Sequence, residues 1–170
     1  MEVRKDPNSE GSEADIAAQI ALARQLRGDH EQVAGAVNEL EWIRRQLKDL
    51  QAVLTDAGDD RASLVEAIAE VDGTLIAVKE KMVQLRRTGT GQDQIRWPTM
   101  LSGRLAYLIR VVTVNDFPPT DQHREVQGVL EERMRDVLAE VRAAVESDVG
   151  SLNETLESQG VPSVLVVPPQ

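Results

Sequence analysis

The sequence contains no cysteine and few aromatic residues, prolines or glycines. Without thiols, the chain forms no disulfide, binds no metal through thiolate and has no cysteine nucleophile. Its only aromatic residues are Trp42, Trp97, Tyr107 and Phe117, fewer than an all-β domain or a compact enzyme of 170 residues usually carries. No apolar run approaches the roughly 20 residues that a membrane-spanning helix needs. These absences favour a helical domain and point to no particular activity.

The charge is strongly of one sign, because 29 acidic residues against 19 basic ones give a net charge of −10 at pH 7. Nucleic acids and anionic membranes are bound through basic faces, and the densest basic clusters here are only the pairs Arg44-Arg45 and Arg86-Arg87. We therefore expect no nucleic-acid partner and no membrane insertion. Met1–Pro7 holds no apolar segment of signal-peptide length. We expect either a cytoplasmic protein or a segment of a longer one.

Apolar residues recur at steps of three and four along most of the chain, which is the spacing of one helix face. The first stripe keeps its phase past Gly28, so one long helix is predicted there. Gly58, Thr88–Gln92 and Asp116–Pro119 separate the later helices. Residues 93–98 are expected to be irregular, because Pro98 pushes Trp97 out of helical conformation, and Pro98 itself suits the first turn of the third helix. The inward-facing stripes of the four helices are, in order, Ile16, Ile20, Ala23, Leu26, Val33, Val37, Leu40, Leu47, Leu50 and Leu54; Leu64, Ile68, Val71, Leu75, Val78, Met82 and Leu85; Leu101, Leu105, Leu108, Val111 and Val112; and Val126, Leu130, Val137, Val141, Val145, Leu152 and Leu156. The predicted elements are a lead-in over 1–11, helices over about 12–57, 60–87, 98–115 and 120–159, and a tail over 161–170.

Helix starts and the tail carry further local signals. Ser12 and Thr120 are the predicted N-caps of the first and fourth helices, and Asp59 or Asp60 that of the second. The tail, 161–170, is bracketed by proline and rich in β-branched residues, so we expect it to be extended. Because an isolated pair of strands is marginal in water, its full strand partner is expected to lie at least partly outside this chain.

The predicted fold is all-α, an elongated up-down-up-down four-helix bundle with two long and two shorter helices and a short extended C-terminal tail. Short loops make sequential helices antiparallel. At 1.5 Å per residue, the two long helices would span about 69 Å and 60 Å. An even number of helices would return the tail to the end of the bundle where the N-terminus lies, beside Glu2–Lys5.

The motifs predict no catalytic residue, no cofactor-binding residue, no metal ligand and no cofactor. Neither His30 nor His123 is preceded three residues earlier by the Glu that a di-iron carboxylate bundle uses. His30 is expected in the core or at its boundary, and His123 in solvent. Gly89 and Gly91 lack the third glycine of a dinucleotide-binding loop, since Gln94 stands there. We predict that the chain is not an enzyme.

Four polar and aromatic residues are expected to have structural roles. Asn38 and Asn153 lie near the inner stripes of the two long helices, where a buried amide can fix the register of a bundle. Trp42 and Trp97 are expected to anchor packing rather than to bind a ligand.

Nine short segments, taken in order, form a recognisable pattern: Val3–Pro7, Ala14–Gln19, Ala36–Asn38, Ile95–Pro98, Leu101–Leu105, Pro119-Thr120, Ser147–Val149, Leu152-Asn153 and Gly160–Pro162. Together they resemble the C-terminal region of bacterial sortilin-type, sialidase-like β-propeller proteins, often labelled glycosyl hydrolases with BNR (Asp-box) repeats. In that family a propeller and a small β-sandwich precede a helical domain of this length. The chain holds no Asp-box, Ser-x-Asp-x-Gly-x-x-Trp, so no glycosidase residue of the family is carried over to it.

The resemblance implies a non-catalytic helical accessory domain of a larger propeller-containing protein. Its partners would be the β-propeller and β-sandwich of that parent, which it would pack on or position, or a further partner bound at its surface. The isolated chain is expected to be monomeric, and a secreted or periplasmic parent fits the resemblance. The alternative is a free-standing cytoplasmic coiled-coil adaptor that oligomerises through its long helices.

Overall fold

The computed structural model describes residues 5, 7–56, 58 and 61–166, and all regular structure in these ranges is helical. Two long and two shorter helices form a bundle, which confirms the predicted all-α class and the division of lengths. The expected caps of the second helix, Asp59 and Asp60, lie outside the described residues. The elements are α1 (Glu13–Asp56), α2 (Ala62–Met82), a single turn α3 (Asp93–Arg96), α4 (Leu101–Val112), α5 (Asp121–Ala143), a π-helical segment (Ala144–Val149) and α6 (Gly150–Ser158).

The first helix begins at the predicted cap and is continuous. The Asp15 backbone N–H donates to Ser12 Oγ over 3.1 Å, and the Ser12 backbone N–H donates to the Asp15 carboxylate over 3.0 Å. This reciprocal pair satisfies two amides that the first turn leaves without helical partners. α1 then runs for 44 residues straight through Gly28. At 1.5 Å per residue it spans about 66 Å, so it defines the length of the bundle.

The two shorter helices lie one after the other along α1. Side-chain contacts at three successive levels of α1 establish this order: Arg44 with Asp72 (2.6 Å), His30 with Ser102 (3.0 Å) and Gln19 with the Val112 carbonyl (2.9 Å). From one level to the next, the residue numbers fall along α1 and rise through α2 and α4. Both shorter helices therefore run antiparallel to α1. Their 21 and 12 residues share the length of α1 between them.

The C-terminal long helix, α5 through α6, runs parallel to α1. Near its start Glu131 accepts a hydrogen bond from Gln25 over 2.6 Å, and beyond its end Leu165 is bonded to Gln46. The order of directions is therefore up-down-down-up, in place of the expected alternation. The connection over 83–100 carries the chain onward instead of turning it back. The tail consequently lies at the opposite end from the start of α1. Residues 2–4, beside which it was expected, lie outside the described residues.

The core is a continuous apolar seam along α1 to which every other long element contributes. Leu26, Leu40 and Leu47 of this seam are fully buried. Three members of the predicted stripes are not in the core, because Ile20, Leu85 and Val126 are 42%, 39% and 46% exposed. The apolar pattern thus located the helices correctly and misplaced part of the inner face of α5.

A cluster of buried cations joins α1 to α2 near the middle of the bundle. Arg44 Nε lies 2.6 Å from Asp72 Oδ1, and Lys79 Nζ lies 2.5 Å from Glu41 Oε1. Glu41 also accepts from Arg44 over 2.7 Å, so the four side chains form one network. The hydrogen bond from Lys79 is the main reason why the pKa of Glu41 lies below its usual value, against the effect of burial. A buried cation without its partner is costly, so the network fixes the register of the two helices.

The π-helical segment follows from the spacing of valines in the C-terminal helix. Val137, Val141, Val145 and Val149 recur at three successive steps of four, and all four are buried. An α-helix turns once every 3.6 residues, so such a run would drift off the inner face. The wider turn of the π-helical segment at 144–149 keeps the later valines in the core.

The connection between α2 and α4 is closed by a buried carboxylate. Asp93 accepts from the backbone N–H groups of Thr88 and Gly89, each over 2.7 Å. The single turn α3 begins at Asp93, where irregular backbone was expected. Trp97 is extended, with φ −125° and ψ 128°, as the following Pro98 requires.

Three helix boundaries differ by three residues or more from their predicted positions. α2 ends at Met82 rather than near 87, because Val83 already has extended backbone, with φ −133° and ψ 146°. α4 spans Leu101–Val112 rather than 98–115, so it begins three residues after the proline and ends three residues early. A Cβ atom on Gly103 would come within 2.6 Å of the Thr99 side chain, so glycine lets Thr99 fold over the first turn of α4.

The tail is held by two amide side chains instead of a neighbouring strand. The Asn153 side chain accepts from the Val164 N–H over 2.8 Å and donates to the Val164 carbonyl over 2.9 Å. Gln46 pairs with both backbone groups of Leu165 in the same way, over 2.9 Å and 3.0 Å. These amides take the place of the external partner that we expected, and Val164 is buried. The exposed Asn38, in contrast, has no such structural role.

Replacing Asn153 should therefore release the tail. We expect Asn153→Ala to speed amide hydrogen exchange at Val164 at least tenfold and to lower the free energy of unfolding by about 1–2 kcal/mol, because two hydrogen bonds are lost. Asn38→Ala, at an exposed position of α1, is the control and should leave Val164 protected. Rapid exchange at Val164 in the wild-type protein would contradict the proposed role of the amide pair.

Candidate functional site

A groove of about 890 Å³ runs between α4 and α5. The two helices are antiparallel neighbours joined by a short connection, and the groove lies along the seam between them. Apolar side chains form much of its wall, including Leu108, Val111 and Leu130. Tyr107, Val126 and Val129 also line it and are 61%, 46% and 45% exposed. An exposed apolar strip of this kind is a recognised mark of a binding surface.

Three arginines stand together at one end of the groove. Arg104 Nε donates to the Thr99 carbonyl over 2.9 Å, and an Arg87 amino group donates to Thr99 Oγ1 over 3.3 Å. Arg133 lines the same end from α5. None of the three arginines forms an ion pair with a carboxylate in the described ranges. Glu140, in the adjoining depression of about 240 Å³, is paired with Lys81.

The opposite end of the groove is built from the first turn of α5. Thr120 and His123 form a capping box, in which the His123 N–H donates to Thr120 Oγ1 and His123 Nδ1 accepts from the Thr120 N–H, both over 3.3 Å. Thr120 is thus the predicted cap, and His123 is partly buried by this role rather than fully solvent-facing. Gln122 and Glu125 complete this end. The groove therefore passes from cationic through apolar to mixed polar surroundings.

Two other grooves on the described surface are smaller and differ in charge. The groove between α2 and α6 holds about 260 Å³ and carries Glu70 and Asp148 without any cation. The groove between α1 and α5 holds about 320 Å³ and has Glu39 beside Arg142. The α4/α5 groove combines the larger volume with the arginine cluster, so it is the candidate site.

The chemistry of this groove favours binding over reaction. A guanidinium group remains protonated in proteins, so it can attract an anion and cannot exchange a proton near neutral pH. His123 is the one imidazole at the groove, and its Nδ1 is already engaged in the helix cap. Within the described ranges, no group of three His, Asp or Glu side chains is placed to hold a metal ion, and no helix could span a bilayer.

The remaining residues singled out in the sequence lie away from the groove. His30 is half-buried at the α1/α4 boundary, as predicted, with Nε2 3.0 Å from Ser102 Oγ. Trp97 packs under Arg86, whose guanidinium lies 5.2 Å from the ring centroid. Gly89, with φ +85°, is a turn glycine in the loop closed by Asp93. Sequence reasoning missed the groove itself. The available signal was that Tyr107 and Val129 are apolar residues outside every predicted core stripe.

A second feature of chemical interest is a buried carboxyl group between α1 and α5. Asp29 is 8% exposed, and its Oδ2 atom has no hydrogen-bond partner. Burial, and then the nearby charge of Glu131, raise the pKa of Asp29 above its ordinary value. Glu131 in turn accepts from Gln25 over 2.6 Å and from Gln127 over 2.8 Å. The pair is therefore a site where charge opposes folding.

Removing this charge should stabilise the protein at neutral pH. Since the folded state binds the Asp29 proton more tightly than the unfolded chain, the free energy of unfolding rises as pH falls through the folded pKa. We expect Asp29→Asn to raise the free energy of unfolding by about 1 kcal/mol at pH 7, with the gain shrinking towards about pH 4. Asp49→Asn, at an exposed position of the same helix, should show no such pH-dependent gain in urea titrations. An equal or lower stability of Asp29→Asn at pH 7 would contradict this account.

Comparison with known proteins finds no matching family model, no similar curated protein and no similar solved structure.

Proposed function

We propose that this chain is a non-catalytic helical accessory domain that contributes a binding groove rather than a reaction centre. The observation that carries the proposal is the α4/α5 groove, where exposed apolar side chains adjoin three arginines without carboxylate partners in the described ranges. Arginine supplies a fixed positive charge and planar hydrogen-bond donors, which suit recognition of an anion. The groove thus supports binding without turnover.

On the resemblance described above, the domain belongs to a larger propeller-containing protein. It would follow the propeller and the β-sandwich of that parent and pack on or position them. Glycoside hydrolysis, where the parent performs it, would take place in the propeller. The α4/α5 groove would then be the part of the helical domain that adds binding to the whole.

The coding sequence upstream of Met1 tests this assignment. We expect an in-frame region there that encodes repeated Ser-x-Asp-x-Gly-x-x-Trp motifs, followed by a sandwich of β-strands. An in-frame stop codon directly upstream would contradict the accessory-domain assignment and favour a free-standing protein. This result is independent of any ligand for the groove.

The alternative, an adaptor that oligomerises through its long helices, makes a different prediction in solution. The apolar seam of α1 is already buried within the chain, with Leu26, Leu40 and Leu47 inaccessible to a second copy. We therefore expect a monomer of 18.7 kDa in sedimentation equilibrium at micromolar concentration. A stable dimer in that experiment would favour the adaptor.

A further inference from the structure

The α4/α5 groove is chemically polarised along its length. Arg87, Arg104 and Arg133 meet at one end, and the wall between the two ends is apolar. From this polarity we infer that the groove binds an anionic amphiphile: a small molecule with a carboxylate or phosphate head group on an apolar body. The inference rests on the proposed function only in that the groove binds a ligand without reacting with it.

Charge complementarity selects the head group. The chain carries a net charge of −10, and the buried cations Arg44 and Lys79 are each paired with acids. Arg133 makes neither a hydrogen bond nor an ion pair with any other described residue, as is true of several other exposed arginines, and it differs from them in lining the groove beside Arg104. Guanidinium groups bind carboxylates and phosphates through paired N–H donors. A carboxylate or phosphate bound beside these arginines would gain guanidinium N–H donors, which the otherwise acidic surface does not supply.

The apolar wall selects the body of the ligand. Tyr107, Val126 and Val129 expose apolar surface along the groove, and Val111 extends it towards the first turn of α5. Covering this surface releases ordered water and is favourable in proportion to the area buried. A volume of about 890 Å³ lies within the range typical of small-molecule sites. A flexible apolar chain or ring system can fill it.

A titration with matched ten-carbon probes tests the inference. The isotope-labelled protein is titrated with decanoate, decyl phosphate, decan-1-ol and decyltrimethylammonium, each below its micelle concentration, while the amide signals of Tyr107 and Val129 are followed by NMR. We expect the two acids to bind at these residues about five- to tenfold more tightly than the alcohol, because exposed ion pairs contribute modestly. Comparing decanoate with decyl phosphate distinguishes carboxylate from phosphate as the preferred head group. The acid preference should shrink at high salt.

Variants separate the head-group contacts from the apolar contacts. Arg133→Gln should remove most of the acid preference and leave binding of the alcohol unchanged. Val129→Ser should weaken the acids and the alcohol alike. The matched controls are Arg45→Gln and Val53→Ser, at exposed positions of α1 far from the groove, and both should bind as wild type.

Two results would overturn the inference. Equal affinity for the acids, the alcohol and the quaternary amine, or shifts confined to residues outside the groove, would show that the arginines do not select an anion. Binding of an acidic amphipathic helical peptide at Tyr107 and Val129, with none of the amphiphiles binding there, would assign the groove to a protein segment. Either result leaves the test of the accessory-domain assignment untouched, because that test reads the upstream coding sequence.

Discussion

Burial of one long apolar face on α1 determines the arrangement of the other helices. The helix runs for 44 residues without a break, so about 66 Å of apolar seam has to be covered. α5 through α6 spans 38 residues and covers most of that length. Neither α2 nor α4 is long enough alone, and the two in sequence complete the cover. The buried network of Arg44, Asp72, Lys79 and Glu41 then fixes α2 against the C-terminal half of α1.

The candidate site exists because α2 and α4 cover successive parts of α1. At each level of the bundle only three helices meet, because α2 and α4 occupy different halves of α1. No further helix of the described residues covers the seam between α4 and α5, and Tyr107, Val126 and Val129 remain exposed there. The connection that carries the chain from α2 into α4 also delivers Arg87 and Thr99 to the end of that seam. This loop therefore completes the scaffold and supplies one of the three arginines of the groove.

The sequence predicted those features that depend on local chemistry. The caps at Ser12 and Thr120, the extended Trp97 before Pro98 and the positions of the helices all follow from interactions within a few residues. The direction of α4 did not follow, because it depends on how helix lengths add up along α1. The pairing of Asn153 and Gln46 with the tail also could not be predicted from the sequence. It joins residues that are separated by 11 positions in one case and by 119 positions in the other. Val126 was assigned to the core because periodicity identifies a face without showing what covers it.

The order of helix directions is the claim from which the groove, the core and the position of the tail all follow. Because the chain has no native cysteine, spin labels attach only to the two cysteines introduced in the double variant Ile20→Cys and Leu165→Cys. Both positions are exposed. Leu165 is bonded to Gln46, 26 residues further along α1 than Ile20, so the distance between the labels measured by pulsed electron resonance should be about 40 Å. A distance below about 20 Å would mean that the tail returns to the start of α1, as strict alternation requires, and would contradict the arrangement described here.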